Sequence, residues 1–261
     1  MVKYKTQIQR QRQIQNLKDK PHFFYRMENV LGALGLRYKT DKISTHGYHR
    51  FYHDILHHLR DSSFNMLEIG VERFHSIDMW KQYFPLAMIY AIDINVEYKD
   101  ERICIFKGDQ SKKEQLEELV PKIPKCSFII DDGSHVPEHQ LLTFDIFFSN
   151  VLEDGGVYII EDIETSYWKS REIFGYPTRY GYGHPNSVIE KFKLVLDFLN
   201  SKYLSKDDKT LLLDRVNFFS LSTLCAISSI TFAQNCIIIK KKHQYEYPYS
   251  TGVYRYASHV Q

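Results

Sequence analysis

Five apolar runs in this 261-residue chain each end on an acid. Glu68 closes the run at 64–70 and Asp93 the run at 88–93. Asp109 follows the run at 102–106, Asp131 and Asp132 end the run at 126–132, and Glu161 and Asp162 end the run at 157–162. Taken singly, an acid after a strand is a common turn former or helix cap. Five in succession point to one edge of a sheet that handles cations or hydroxyl groups. Asp132-Gly133-Ser134-His135 and Glu161-Asp162 carry the sharper signal. If their two runs are neighbours, three carboxylates and an imidazole converge, and clustered carboxylates need a cation or protons to offset their repulsion. Oxygen donors of this kind suit Mg²⁺ or another hard divalent ion rather than zinc. His135 is then the natural general base, since imidazole titrates near neutrality. The plainer alternative has Asp132 capping the next helix and His135 bonded to a backbone carbonyl, and it places His139 at the periphery.

Asp93 stands where adenosine-binding sheets put an acid to accept both ribose hydroxyls, and Asp109-Gln110 stands where the adenine amino group would lie. Neither assignment separates a dinucleotide from S-adenosylmethionine. The loop after Gly70 reads Val71-Glu72-Arg73-Phe74-His75-Ser76, with no second glycine. A pyrophosphate needs close backbone approach and a clean helix N-terminus, so the loop argues against a dinucleotide oxidoreductase. S-adenosylmethionine carries no phosphate and tolerates a looser turn.

The elements that must position these groups alternate. Apolar runs are separated by amphipathic stretches, among them one around Ile77–Phe84 stopped by Pro85, one at about 112–120, and one that opens near Pro137, and Gly155-Gly156 reads as the turn into the run at 157–162. Continuously apolar strands alternating with helices predict a mostly parallel α/β sheet covered on both faces. Two β-prone runs, 227–233 and 236–240, flank Gln234-Asn235 and predict a C-terminal antiparallel hairpin. The fold expected is a Rossmann-like sheet of the class I methyltransferase kind. Residues 1–36 read as a polar, basic helical arm that could pack on a second copy of the chain, and 37–261 as one domain.

Composition narrows the partners. A net charge of +2 gives no strong field for nucleic acid or an anionic membrane, and 43 % apolar with 25 % charged residues is the ordinary globular range. No apolar run approaches a membrane span. Cys104, Cys126, Cys225 and Cys236 lack metal-ligand spacing and read as reduced thiols, so a cytoplasmic protein is expected.

At these residues the chain resembles the metal-dependent S-adenosylmethionine O-methyltransferases of the mycinamicin and macrocin type. The likeness runs over about 37–242. It takes in Thr40-Asp41-Lys42, Leu67-Glu68-Ile69-Gly70-Val71, Ser76, Ile92-Asp93-Ile94 and Gly108-Asp109-Gln110-Ser111. Its most distinctive parts are Ile129-Ile130-Asp131-Asp132-Gly133-Ser134-His135 and Ile160-Glu161-Asp162 with Thr165-Ser166-Tyr167-Trp168. The resemblance implies Mg²⁺ on Asp132, Glu161 and Asp162, with His135 deprotonating an acceptor hydroxyl. It implies S-adenosylmethionine held by Asp93 at the ribose, Asp109 and Gln110 near the adenine, and Glu68 and Gly70 along the methionine part. Lys42 would meet its carboxylate, and Ser76 and Asp131 complete the expected contacts. The acceptor implied is a sugar hydroxyl of a glycan, nucleotide-sugar or glycosylated natural product. An aromatic stretch from Tyr167 to Tyr182 could stack on it as a lid. Phe74 and His75 stand where the family carries glycines. A catalytically degenerate binding module on the same fold is therefore the alternative.

Overall fold

The computed structural model describes residues 29–169 and 176–246. The expected arm lies outside the described residues as far as residue 28. The chain forms two compact units, one comprising the chain to Ser62 with Arg73–Leu86, the other Ser63–Glu72 with the chain from Ala87 onward.

The first unit is helical: α1 (Val30–Tyr38), α2 (Asp41–Ser44), α3 (His49–Leu56) and α4 (His75–Tyr83). Asn29 caps α1, its Oδ1 accepting the amides of Leu31 at 3.0 Å and Gly32 at 3.3 Å. Gly35 is required by packing, because a Cβ there would stand 1.9 Å from Ile43 Cγ1. A chain of rings fills the interior: Tyr48 on Tyr52 at 5.6 Å, Tyr52 on Trp80 at 6.3 Å and Trp80 on Phe84 at 5.8 Å. Each such pair contributes about 0.5–1.5 kcal/mol beyond the area it buries.

The second unit is an eight-stranded sheet in the order β3-β4-β2-β1-β5-β6-β8-β7. Its strands are β1 (Asn65–Ile69), β2 (Met88–Asp93), β3 (Tyr98–Lys99), β4 (Ile103–Lys107), β5 (Cys126–Asp131), β6 (Leu152–Glu161), β7 (Ile227–Ala233) and β8 (Cys236–Lys241). Strands β4, β2, β1, β5 and β6 are parallel, and β3, β8 and β7 are antiparallel to their neighbours. This is the expected Rossmann-like sheet with its C-terminal hairpin. Among the described residues this unit also carries helices α5 (Lys113–Leu119), α6 (Pro137–Asn150), α7 (Val188–Leu199), α8 (Lys206–Arg215) and α9 (Leu221–Ala226).

One difference from expectation concerns Gly155-Gly156. Rather than turning into a strand, they lie inside β6, which begins at Leu152 and carries a register irregularity opposite Cys126/Phe128. Gly155 has φ +81° there, which a bulge accommodates and most side chains do not.

Phe144 of α6 anchors the core between Phe148 at 4.7 Å, Phe219 at 5.0 Å, and Tyr158 and Phe192 at 5.1 Å. Lys241 is buried behind it, and its Nζ donates to the carbonyls of Phe148 at 3.1 Å and Leu152 at 2.8 Å. A cation thus sits where α6 presents its unsatisfied carbonyls. Among the described residues, no helix is long and apolar enough to cross a membrane.

Candidate functional site

The parallel register brings the acid-bearing strand ends level. Ile69 pairs with Ile92 on one side and Asp131 on the other, and Asp131 pairs with Ile160. In open sheets of this kind ligands bind outside that carboxyl edge, beside the strand where the order reverses.

Asp132, His135 and Asp162 meet there. One ligand atom from each lies within 4.8 Å of the others, the one such group among the described residues. His135 Nε2 is 3.6 Å from Asp162 Oδ2 and 4.0 Å from Asp132 Oδ1. His135 Nδ1 is buried with no hydrogen-bond partner among the described residues. Two of the three have left-handed backbones, His135 at φ 55° and Asp162 at φ 52°. Such strain costs about 1–3 kcal/mol per residue and persists where surrounding structure over-determines it, often at functional sites.

The plainer reading of this cluster does not match the geometry. Helix α6 starts with Pro137, so Val136 and not Asp132 occupies its capping position. His139 bonds Ser134 Oγ at 2.8 Å through Nδ1, and burial, the largest influence on it, lowers its pKa. Glu161, the third expected acid, stands outside the three-residue group. It is buried on the face of β6 opposite Tyr158 and Ile160, and its carbonyl accepts Gln140 Nε2 at 2.9 Å.

Gln110 and Asp131 form a strut under the loop. Gln110 Nε2 donates to both oxygens of Asp131, at 2.7 and 2.9 Å, and its Oε1 accepts the Ser134 amide at 2.8 Å. Asp131 is fully buried, also taking the Tyr158 hydroxyl at 3.4 Å, and burial pushes its carboxyl up to about 7. As placed, the two side chains face each other instead of the adenine-side space expected for Gln110. Gly133 permits the strut, since a Cβ there would lie 2.3 Å from Gln110 Oε1.

Asp93 is also engaged. Its Oδ2 accepts the amides of Val71 at 3.0 Å and Glu72 at 3.4 Å, and its Oδ1 those of Asn95 at 2.8 Å and Val96 at 2.9 Å. Burial alone would raise its pKa, but the four amides together hold the carboxyl below its usual range. A ribose hydroxyl would therefore share an oxygen with an amide. Asp109 is half-buried, and its Oδ1 takes the Ser111 amide at 2.8 Å. The Ser111 hydroxyl, then its amide, keep that carboxyl below its usual range against the opposing effect of burial. Glu68 is buried at the end of β1. Gly70, at φ +90°, is needed for packing as well, since a Cβ would meet the Asp132 carbonyl oxygen at 2.1 Å.

In the first unit, Lys42 lies in α2 and is only 1 % exposed, rare for a lysine, and Ser76 sits in the first turn of α4. Phe74 has φ 65°, the left-handed conformation a glycine would adopt, whereas His75 begins α4. The departure noted in the sequence thus falls on Phe74.

Tyr176 packs edge-on against His135 at 5.3 Å, and Trp168 stacks on Tyr176 at 6.1 Å and 21°. The aromatic stretch is legible in the sequence, but this contact is not. Neither are Gln140 and Asn235, which carry no motif signal of their own.

The sheet order, with its parallel strands and terminal antiparallel hairpin, is that of a class I methyltransferase. No protein-family model matches the chain. It is 34 % identical over 147 residues to the 8-demethyl-8-alpha-L-rhamnosyl tetracenomycin-C 2'-O-methyltransferase of Streptomyces olivaceus, covering 53 % of this chain and 39 % of that protein. It is 36 % identical over 152 residues to the mycinamicin VI 2''-O-methyltransferase of Micromonospora griseorubida, covering 53 % and 37 %. A solved structure of the MycE methyltransferase from the mycinamycin biosynthetic pathway, in complex with Mg and SAH, superposes with a TM-score of 0.69. That match has 26 % identity and covers 82 % of this chain and 53 % of the other. The chain is thus similar to O-methyltransferases named for tetracenomycin, macrocin and mycinamicin substrates, and the matched segment covers under half of the length of each of these relatives.

Proposed function

We propose that the chain is an S-adenosylmethionine-dependent, Mg²⁺-assisted O-methyltransferase acting on a sugar hydroxyl of a glycan, nucleotide-sugar or glycosylated natural product. The observation that carries this reading is the Asp132–His135–Asp162 group at the carboxyl edge. It occurs in a chain whose curated relatives are named as O-methyltransferases of a rhamnosyl tetracenomycin and of mycinamicin VI.

The donor set fits a hard divalent ion. Two carboxylates converge, and no cysteine belongs to the group. Asp132 and Asp162 would hold the ion, with Glu161 as the third acid the resemblance suggests. Asp93 and Asp109, both favouring the charged form, suit the hydroxyl and amino groups of an adenosyl moiety. Glu68 and Gly70 are proposed along its methionine part. Gln110 and Asp131 support the loop from beneath, and the parts given to Lys42 and Ser76 rest on the resemblance alone.

When bound, S-adenosylmethionine supplies a sulfonium-activated methyl group, and the cation supplies polarisation of a hydroxyl. The chain's own work is alignment and proton handling. His135 Nε2 is placed to take the proton of an acceptor hydroxyl, to whose oxygen bound S-adenosylmethionine would give up its methyl group and leave as S-adenosylhomocysteine. Tyr176, with Trp168 stacked on it, stands beside the base, and aromatic rings there suit the apolar face of a pyranose.

The degenerate-module alternative rested on the missing glycines. Phe74 nonetheless adopts the left-handed conformation, φ 65°, that a glycine would. Incubating the protein with S-adenosylmethionine, Mg²⁺ and a panel of sugar glycosides tests the proposal. S-adenosylhomocysteine release that needs both a glycoside and the metal supports it. Cofactor binding with no release on any glycoside favours the module.

A further inference from the structure

The C-terminal hairpin does more than close the sheet. Strand β8 runs antiparallel to β6, pairing Cys236 with Glu161, so the turn before β8 lies at the carboxyl end of β6. Asn235 occupies that turn in a left-handed conformation, φ 64°, which asparagine tolerates better than most residues.

Its bonds fall on three successive residues. The Asn235 carbonyl accepts the Ile163 amide at 3.4 Å, and its side-chain Oδ1 accepts the Glu164 amide at 3.0 Å. Its Nδ2 donates to Asp162 Oδ1 at 3.0 Å. The chemistry fixes the orientation of the amide. An N–H needs the oxygen and a carboxylate needs the NH₂, so the flipped rotamer would lose both bonds.

The consequence is a division of labour within one carboxylate. Asp162 Oδ1 is tied to Asn235, while Oδ2 is turned to His135 Nε2 at 3.6 Å. Asp162 is also strained, at φ 52°, and the two bonds to the residues that follow it brace that conformation. Gln140, from α6, holds the Glu161 carbonyl at 2.9 Å from the other side.

We infer that Asn235 is a positioning residue that orients Asp162 to ligate the divalent cation. This rests on the reading of Asp132 and Asp162 as cation ligands. Partners that aim a ligand typically change metal affinity about 10–100-fold when removed.

The test is titration of Mn²⁺ into the full chain by calorimetry, with S-adenosylhomocysteine affinity and melting temperature measured in parallel. Asn235→Gly keeps the left-handed turn and deletes the side chain. Asn235→Asp keeps an acceptor for the Glu164 amide and sets a carboxylate against Asp162. Both should weaken Mn²⁺ binding at least about tenfold while leaving S-adenosylhomocysteine affinity within twofold. If wild type binds Mn²⁺ and either variant that retains a cooperative melt binds it within twofold of wild type, the inference is overturned alone. If wild type has no Mn²⁺ site, the ligand reading fails and takes this inference with it. Weakening of Mn²⁺ and S-adenosylhomocysteine by equal factors also overturns it, because Asn235 would then serve the fold.

Discussion

Gln110 closes both carboxylate oxygens of Asp131, at 2.7 and 2.9 Å, and so ties the end of β4 to the end of β5 directly beneath the loop that carries His135. Even so, burial outweighs these bonds, and the Asp131 pKa rises to about 7. The folded state therefore binds a proton that the unfolded chain has released above its ordinary pKa of 3.8. The contribution to stability is complete below about pH 4 and is lost as pH rises toward 7. The slope is about 1.4 kcal/mol per pH unit. Asp131→Asn removes this titration. Urea unfolding of both proteins between pH 4 and 7 should show wild type losing stability relative to the variant. A pH-independent difference would show that Asp131 is ionised throughout.

Asp132 contributes an oxygen to the three-residue group and is part-exposed, and the capping position of α6 belongs to Val136. Asp132→Asn should consequently cost little stability, within about 1 kcal/mol, while reducing Mg²⁺-dependent methyl transfer at least about 100-fold. Thermal unfolding and turnover measured on the same preparation check this. A variant that loses activity only because it melts early would contradict the assignment.

Replacing His135 separates proton transfer from binding. General-base catalysis is worth about 10²–10⁴-fold, so His135→Ala should lower kcat by that order with S-adenosylmethionine affinity nearly unchanged. Equal losses in both would make the residue structural.

Phe74 holds φ 65° without the freedom of a glycine. Phe74→Gly relieves left-handed strain of about 1–2 kcal/mol against a backbone-entropy cost of about 0.5–1 kcal/mol. A small rise in the denaturation midpoint is expected. A fall of more than about 1 kcal/mol would mean that the phenyl ring contributes more to packing than its backbone costs.

Much of the fold was legible because buried parallel strands are written as unbroken apolar runs. The run at 88–93 coincides with β2, and those at 227–233 and 236–240 with β7 and β8 to within a residue. Gly155-Gly156 misled, because glycines mark a bulge and a turn alike. The short strand β3 and helices α7 to α9 went unread, lacking any motif to draw notice to them. Within the site, Asp132, His135 and Asp162 were readable because acids at strand ends follow a topological rule. Asn235 was not, because its effect depends on β8 pairing with β6, a contact 73 residues away in sequence. The amides that hold Asp93 and the carboxylate that Gln110 holds were not legible either, because no spacing pattern reveals them.

The most direct test is an anomalous-scattering map from crystals soaked with Mn²⁺ and S-adenosylhomocysteine. A manganese peak within bonding distance of both Asp132 and Asp162, with His135 beside it, is the predicted result. Density for the nucleoside with those carboxylates bare, or with the metal bound only elsewhere, would contradict the account.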